Sequence, residues 1–265
     1  LQRNGVLAGQ KVLIDIRKGT PLADVSGYIA GLQRGIAEKS SSGGSVSFRS
    51  QGDVILRQGS TVDVSGGSLD YAGGDTGTSR LLTGRRSFDI GEASPLLAYT
   101  GLVKDTYRYE AGYVEGKDAG TVSIEAQKAV LDGTLRAGTV AGIHQREAAM
   151  RPAGGRLVLD GLGSSVRFVN GEAALAAGFG AADALGGTPL LLDAGIFNAN
   201  GFNRFALDTS GDFMLPAGVR LVAGPGGDLS IKAHRIEVQD GIATAGGKIA
   251  LQTHNAATND PAETA

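Results

Sequence analysis

The sequence predicts an all-β fold, a parallel β-helix with short helical and loop excursions, and three observations carry that expectation. A module of roughly 20 to 23 residues recurs along the chain. Within each module apolar and polar residues alternate over runs of about three to five, the mark of short strands with one buried face. Glycine supplies 43 of the 265 residues, over twice the usual ~7%. Gly-Gly, Ser-Gly and Asp-Gly pairs stand where one run gives way to the next, and they permit positive φ and sharp corners. Short strands of this kind cannot bury their faces alone. Coiling the chain and stacking one turn on the next buries them, with backbone hydrogen bonds between turns about 4.8 Å apart. Leucine-rich repeats have a similar period, but their asparagine ladder is missing. Aromatic residues make up 5% and tryptophan is absent, so the expected core is built from Val, Ile, Leu and Ala.

In chain order, the first expected element is a helix over residues 20–39, lying on the side of the coil. Thr20 stands as its N-cap with Pro21 at the first helical position. Leu22, Val25, Ile29, Leu32 and Ile36 follow at spacings of three and four, one apolar face. Gly27, Gly31 and Gly35 weaken the helix, and their spacing fits close packing on the coil. The first module opens at Gly44 with Val46-Ser47-Phe48, continues through Val54 and Leu56, and ends with Val62 and Val64. Residues 68–118 are the longest excursion. The second module opens at Gly120 with Val122-Ser123-Ile124, then Val130-Leu131, then Leu135 and Ala137. A weaker copy starts at Gly155 with Leu157-Val158-Leu159. Gly171 to Ala184 is alanine-rich and fits a short helix. In the copy from Phe205 to Gly227, Ser210-Gly211-Asp212-Phe213-Met214-Leu215 matches Gln51-Gly52-Asp53-Val54-Ile55-Leu56. The last full module opens at Gly227 with Leu229-Ser230-Ile231, then Ile236 and Val238, then Ile242 and Thr244. Another begins at Gly247 with Ile249-Ala250-Leu251, and a polar tail covers 256–265. No linker divides the chain, so 1–265 is expected to be a single β-helical segment. Its start at Leu1, without a signal-peptide pattern, fits an internal piece of a longer protein. Val46, Phe48, Val122, Ile124, Leu229 and Ile231 are expected to point inward and stack.

Composition and motifs exclude much chemistry. With no cysteine there are no disulfides, thiolate metal sites or cysteine nucleophiles. His144, His234 and His254 lie far apart, which makes a zinc site improbable. There is no G-x-S-x-G, no Gly-rich stretch ending in Gly-Lys-Ser/Thr, and no G-x-G-x-x-G between strand and helix. Lys and Arg total 25 against 27 Asp and Glu, so neither nucleic acid nor an anionic membrane is an expected partner. No apolar run approaches the ~18–20 residues of a transmembrane helix. Pectin-degrading hydrolases built on a parallel β-helix carry Asp-Asp, Gly-His-Gly and Arg-x-Lys, and none of these is present. Asp53, Asp63 and Asp212 recur beside turns, which fits bonding of local backbone N–H groups better than acid–base work. No catalytic residue, metal site or cofactor is expected.

Three stretches carry a family likeness: Asp53 to Gly67 (DVILRQGSTVDVSGG), Tyr109 to Thr121 (YEAGYVEGKDAGT), and Leu215-Pro216-Ala217-Gly218-Val219 followed by Gly226-Gly227. In their order these resemble the large filamentous-haemagglutinin-like exoproteins of Gram-negative bacteria. The resemblance implies a right-handed parallel β-helix, secretion by the two-partner route through an outer-membrane transporter, and a role in adhesion, aggregation or biofilm at the cell surface. It also implies a host-cell or matrix glycan or protein as receptor; a monomer is expected. Asn198-Ala199-Asn200-Gly201 is only superficially like the secretion-domain motifs of that family, so the segment is placed downstream, in the shaft. A polysaccharide lyase or hydrolase on the same fold and an autotransporter passenger are the alternatives.

Candidate ligand-binding residues lie in the long excursion. Tyr71, Tyr99, Tyr107, Tyr109 and Tyr113 are five of the six tyrosines, and Arg80, Arg85, Arg86 and Arg108 accompany them. Tyrosine and arginine each offer a broad flat face plus a donor, suited to gripping sugars or protein surfaces. The competing reading is that the tyrosines pack the excursion against the coil.

Overall fold

The computed structural model describes residues 5–33, 35, 36, 38, 41–176, 179, 180 and 183–254; the polar tail expected over 256–265 lies outside them. Strands dominate. The chain divides into two compact units, Leu1–Lys39 with Asp70–Tyr113 and Ser40–Leu69 with Val114–Ala265, where a single segment was expected.

In chain order, helix α1 (Ser26–Ala30) precedes β1 (Ser45–Arg49), β2 (Asp53–Leu56) and β3 (Thr61–Asp63). β4 (Ser68–Tyr71) leads into β5 (Gly74–Thr83), β6 (Arg86–Asp89) and β7 (Gly101–Glu110), and β8 (Tyr113–Gly116) leads back. Then come β9 (Thr121–Glu125), β10 (Lys128–Leu131), β11 (Thr134–Arg136), β12 (Gly155–Leu162), β13 (Val166–Val169) and β14 (Leu190–Asp193). Helix α2 (Gly195–Asn198), β15 (Phe202–Thr209), β16 (Phe213–Leu215) and β17 (Leu221–Ala223) follow. β18 (Asp228–Ala233), β19 (Ile236–Val238), β20 (Ile242–Thr244) and β21 (Lys248–Thr253) complete the described chain.

In the larger unit, six strands pair in parallel in the order β1-β9-β12-β15-β18-β21. The alternation in each module sets the register. Val46, Val122, Leu157, Phe205, Leu229 and Ile249 stand in one column, and Phe48, Ile124, Leu159, Leu207, Ile231 and Leu251 in a second, two residues on. In the four inner strands both columns are fully buried, none above 2% exposed. Val46 and Phe48, on edge strand β1, are half-buried against the same core. Ile249 and Leu251, on the opposite edge, are 41% and 43% exposed. The second and third runs of the modules also pair in parallel: β2 with β10, β3 with β11, β14-β13-β16-β19, and β17 with β20. Val54, Leu131, Leu135, Val166, Leu215 and Leu221 turn from these strands into one shared core.

Gly120 shows why glycine marks a corner. A Cβ there would sit 1.7 Å from the Gly44 carbonyl oxygen, a backbone atom that cannot swing aside, whereas a Cβ on Gly44 would meet open space. Gly120→Ala should therefore cost at least the ~1–3 kcal/mol of an overpacked core. Gly44→Ala should leave the melting temperature nearly unchanged, and calorimetry of the two variants checks the contrast.

The core itself departs from the expected Val, Ile, Leu and Ala. Phe168, Phe202, Phe205 and Phe213 are among its largest fully buried side chains. Phe168 meets Phe197, Phe205 and Phe213 with ring centroids 6.0, 6.0 and 5.7 Å apart, and Phe197 meets Phe205 at 5.4 Å. The space comes from an insertion in the repeat. β14 pairs with β13 on the side away from β16, and α2 follows it with Ile196 and Phe197 buried against the same core. Asn198, at the end of α2, accepts a bond from the Val222 N–H (2.9 Å) and donates to the Arg220 carbonyl (3.1 Å), satisfying backbone groups at β17. No helix forms among the described residues of 171–184; Ala177, Gly178, Ala181 and Ala182 lie outside them. The Asp132 carboxylate instead accepts bonds from the Ala174 and Leu175 N–H groups.

The helix expected over 20–39 is also corrected. Among the described residues of its first part only Ser26–Ala30 is a continuous helix, and it buries no residue; Arg34, Ala37 and Lys39 are not described. Thr20 Oγ1 accepts a bond from the Leu22 N–H (3.2 Å) and donates to the Ile90 carbonyl (2.6 Å), which closes a turn where the N-cap was expected. Glycine at every fourth position then makes helix propagation costly. Ile29 and Leu32 remain 40% and 48% exposed, so no apolar stripe is covered.

The smaller unit holds an antiparallel sheet, order β6-β5-β7, built from the long excursion expected over 68–118. Gly84, at φ +58, with Arg85 forms the two-residue turn between β5 and β6, since Thr83 pairs with Arg86. A positive φ at the first turn position suits glycine.

Candidate functional site

The smaller unit carries all the tyrosine and arginine candidates, and it separates them into two groups. Asp75 of β5 pairs with Tyr109 and Gly77 with Tyr107, whereas Leu82 pairs with Ser87 and Gly101. The two ends of β5 therefore lie roughly 20 Å apart.

At one end, Tyr107 and Tyr109 occupy one face of β7 and are 63% and 67% exposed. Tyr107 lies over Gly77: a Cβ on that glycine would come within 3.0 Å of the ring and 3.1 Å of Leu13 Cδ1. Tyr109 Oη would lie 2.5 Å from a Cβ on Gly73. Gly77 thus gives clearance to the Tyr107 ring and Gly73 to the Tyr109 hydroxyl. Tyr71 and Tyr113 stack on each other at 4.9 Å. Arg108, across from Thr76, points to the other face of β7 from its two tyrosine neighbours.

At the other end, Arg80 bonds to Ser87, through Nε at 3.2 Å and Nη2 at 3.0 Å to its hydroxyl. The Arg86 guanidinium lies 5.0 Å from the Phe88 ring centre, and Phe88 meets Tyr99 edge-on at 6.3 Å. Arg85 is exposed in the turn. Tyr99 faces a cavity. The cavity measures about 300 Å³, and Val12, Ile14, Leu22, Ile90, Pro95 and Tyr99 form most of its wall. Its polar lining is Gln10 and Thr20. Tyr99 Oη donates to the Ser94 carbonyl (2.9 Å) and Thr20 to Ile90, so both hydroxyls are already engaged.

The N-terminal wall is held by polar pairs the sequence reading missed. Ser79 is fully buried in β5; its backbone N–H donates to the Leu13 carbonyl (3.0 Å), and its hydroxyl accepts from the Leu13 N–H (2.9 Å) and donates to the Lys104 carbonyl (2.8 Å). Arg17 grips Asp15 in a bidentate pair at 2.9 and 2.7 Å and reaches Glu110 at 2.6 Å. That guanidinium holds the Asp15 carboxyl below the ordinary carboxylate range, against the opposing effect of burial. A depressed folded-state pKa contributes stability above the unfolded value near 3.9 and loses it as pH falls through the folded value. The melting temperature should accordingly fall as pH drops from about 5 towards 3. Asp15→Asn should flatten that slope, and melting curves at stepped pH check it.

Elsewhere the Asp63 carboxylate accepts the Ser65 N–H at 2.9 Å, the turn role read from sequence, and bonding from Ser65 lowers its pKa. Asp212 instead faces His234 Nδ1 at 3.0 Å on the surface. Among the described residues no three His, Asp or Glu side chains gather to hold a metal ion, and no helix is long and apolar enough to cross a membrane. Set against known protein families, curated proteins and solved structures, the chain matches none.

Proposed function

We propose that the chain is a right-handed parallel β-helix, the shaft segment of a two-partner-secretion exoprotein that acts in adhesion, aggregation or biofilm outside a Gram-negative cell. The observation that carries this reading is the pair of apolar columns held in register through six parallel strands. Stacked repeats of this kind bury one continuous core and extend by adding turns, which suits a surface spacer. The family likeness of Asp53 to Gly67 and Tyr109 to Thr121 supplies the secretion route and the adhesive role. Tyr107 and Tyr109, exposed on a sheet and given clearance by glycine, are the surface assigned to a glycan or protein receptor. Deleting the partner outer-membrane transporter should leave the full-length exoprotein inside the cell, and deleting this segment should reduce adherence or biofilm. An exoprotein that stays in the cytosol with the transporter present, one that still reaches the surface without it, or adherence indifferent to the deletion would overturn the proposal.

A further inference from the structure

We infer that the cavity of the smaller unit is a binding site for an uncharged, apolar small molecule of one to three rings. This goes beyond the adhesive-shaft reading and does not depend on it. Size comes first. The cavity measures about 300 Å³ and opens to solvent past Gln10, Ala23 and Pro95, more room than the enclosed engineered apolar cavity of about half that volume that takes up benzene. Apolar wall left facing water is unfavourable, and an apolar ligand that covers it removes that surface from water. Chemistry comes second. None of the lining residues carries a charge. An ionised ligand group placed there would lose its hydration without gaining a partner, so the site selects neutral molecules. The hydroxyls of Thr20 and Tyr99 already donate to the Ile90 and Ser94 carbonyls, so the Gln10 amide is the side-chain donor on the wall, and Tyr99 Oη offers only an acceptor. Shape comes third. Tyr99 offers an aromatic wall held edge-on by Phe88, and rings pack well against such a wall.

The probe is N-phenyl-1-naphthylamine, which is neutral and fluoresces in apolar surroundings. Its counterpart is 1-anilinonaphthalene-8-sulfonate, the same skeleton with one negative charge. The full chain should bind the neutral probe saturably, one per molecule, and at least ten times more tightly than the sulfonate. Val12→Phe fills the cavity and should weaken the neutral probe at least tenfold without lowering the melting temperature. If Val12→Phe destabilises the chain, Leu22→Phe serves the same purpose from another wall. Absence of saturable binding, equal affinity for the sulfonate, or unchanged binding by a stably folded filled variant would each overturn the inference.

Discussion

Ile124→Asp should unfold the chain or lower its melting temperature by ~10 °C or more. Ile124 is fully buried between Phe48 and Leu159 in the second apolar column. A carboxylate there has no cation and no donor aimed at it, since its neighbours in the column are hydrocarbon. It either ionises at a cost of several kcal/mol or takes up a proton and still buries two polar oxygens. Ser123→Asp, one residue away, supplies the control. Ser123 lies in the outward column between Ser47 and Val158, so its substitution should change stability by no more than about 0.5 kcal/mol. Thermal melts by circular dichroism compare the two. Equal effects would mean that β9 lacks one buried and one exposed face, and reversed effects that its two faces are exchanged.

Phe168→Ala should cost about 3–5 kcal/mol. The side chain is fully buried and touches Phe197, Phe205 and Phe213, so its removal leaves a cavity walled by three rings from α2, β15 and β16. Strand-held rings cannot all collapse into the gap, and the aromatic contacts add to the loss. Phe168→Leu retains most of the volume and should cost distinctly less. Urea titrations of the two variants give the comparison. A Phe168→Ala loss below 1 kcal/mol would show that the phenylalanine cluster is not packed as described.

The apolar columns were legible in the sequence because alternation and glycine corners both fix a strand's face. Val122 and Ile124, or Leu229 and Ile231, could be placed inward from their own modules alone. The phenylalanine cluster was not, because β14 and α2 interrupt the repeat and bring Phe197 into a core whose other members lie in separate modules. The expected helix failed for the opposite reason. Leu22, Val25, Ile29, Leu32 and Ile36 have helical spacing, but periodicity records only what could be buried, and Ile29 and Leu32 are left uncovered. In the smaller unit the hairpin has a local sequence signal. Gly84-Arg85 sits between Leu81-Leu82-Thr83 and Arg86-Ser87-Phe88, the spacing of a two-residue hairpin with glycine at its first turn position. Tyr99 faces the cavity, but that cavity depends on residues 7–23 reaching Ile90 and Pro95, a long-range meeting that no local pattern announces. Ser79, Asp15 and Arg17, which hold that segment, are single polar residues with no motif around them.

The most direct test of the stacked arrangement uses spin labels. The chain has no cysteine, so each introduced one is the only labelling site of its kind. Ser47, Ala206, Ser230 and Ala250 stand in the same outward column, on β1, β15, β18 and β21. With one label at Ser47 and a second at Ala206, Ser230 or Ala250, the separation should climb in equal steps of about 4.8 Å, through roughly 14, 19 and 24 Å plus a constant label offset. Three distances that do not rise in that order, or that rise by steps unlike a strand spacing, would contradict the parallel stack.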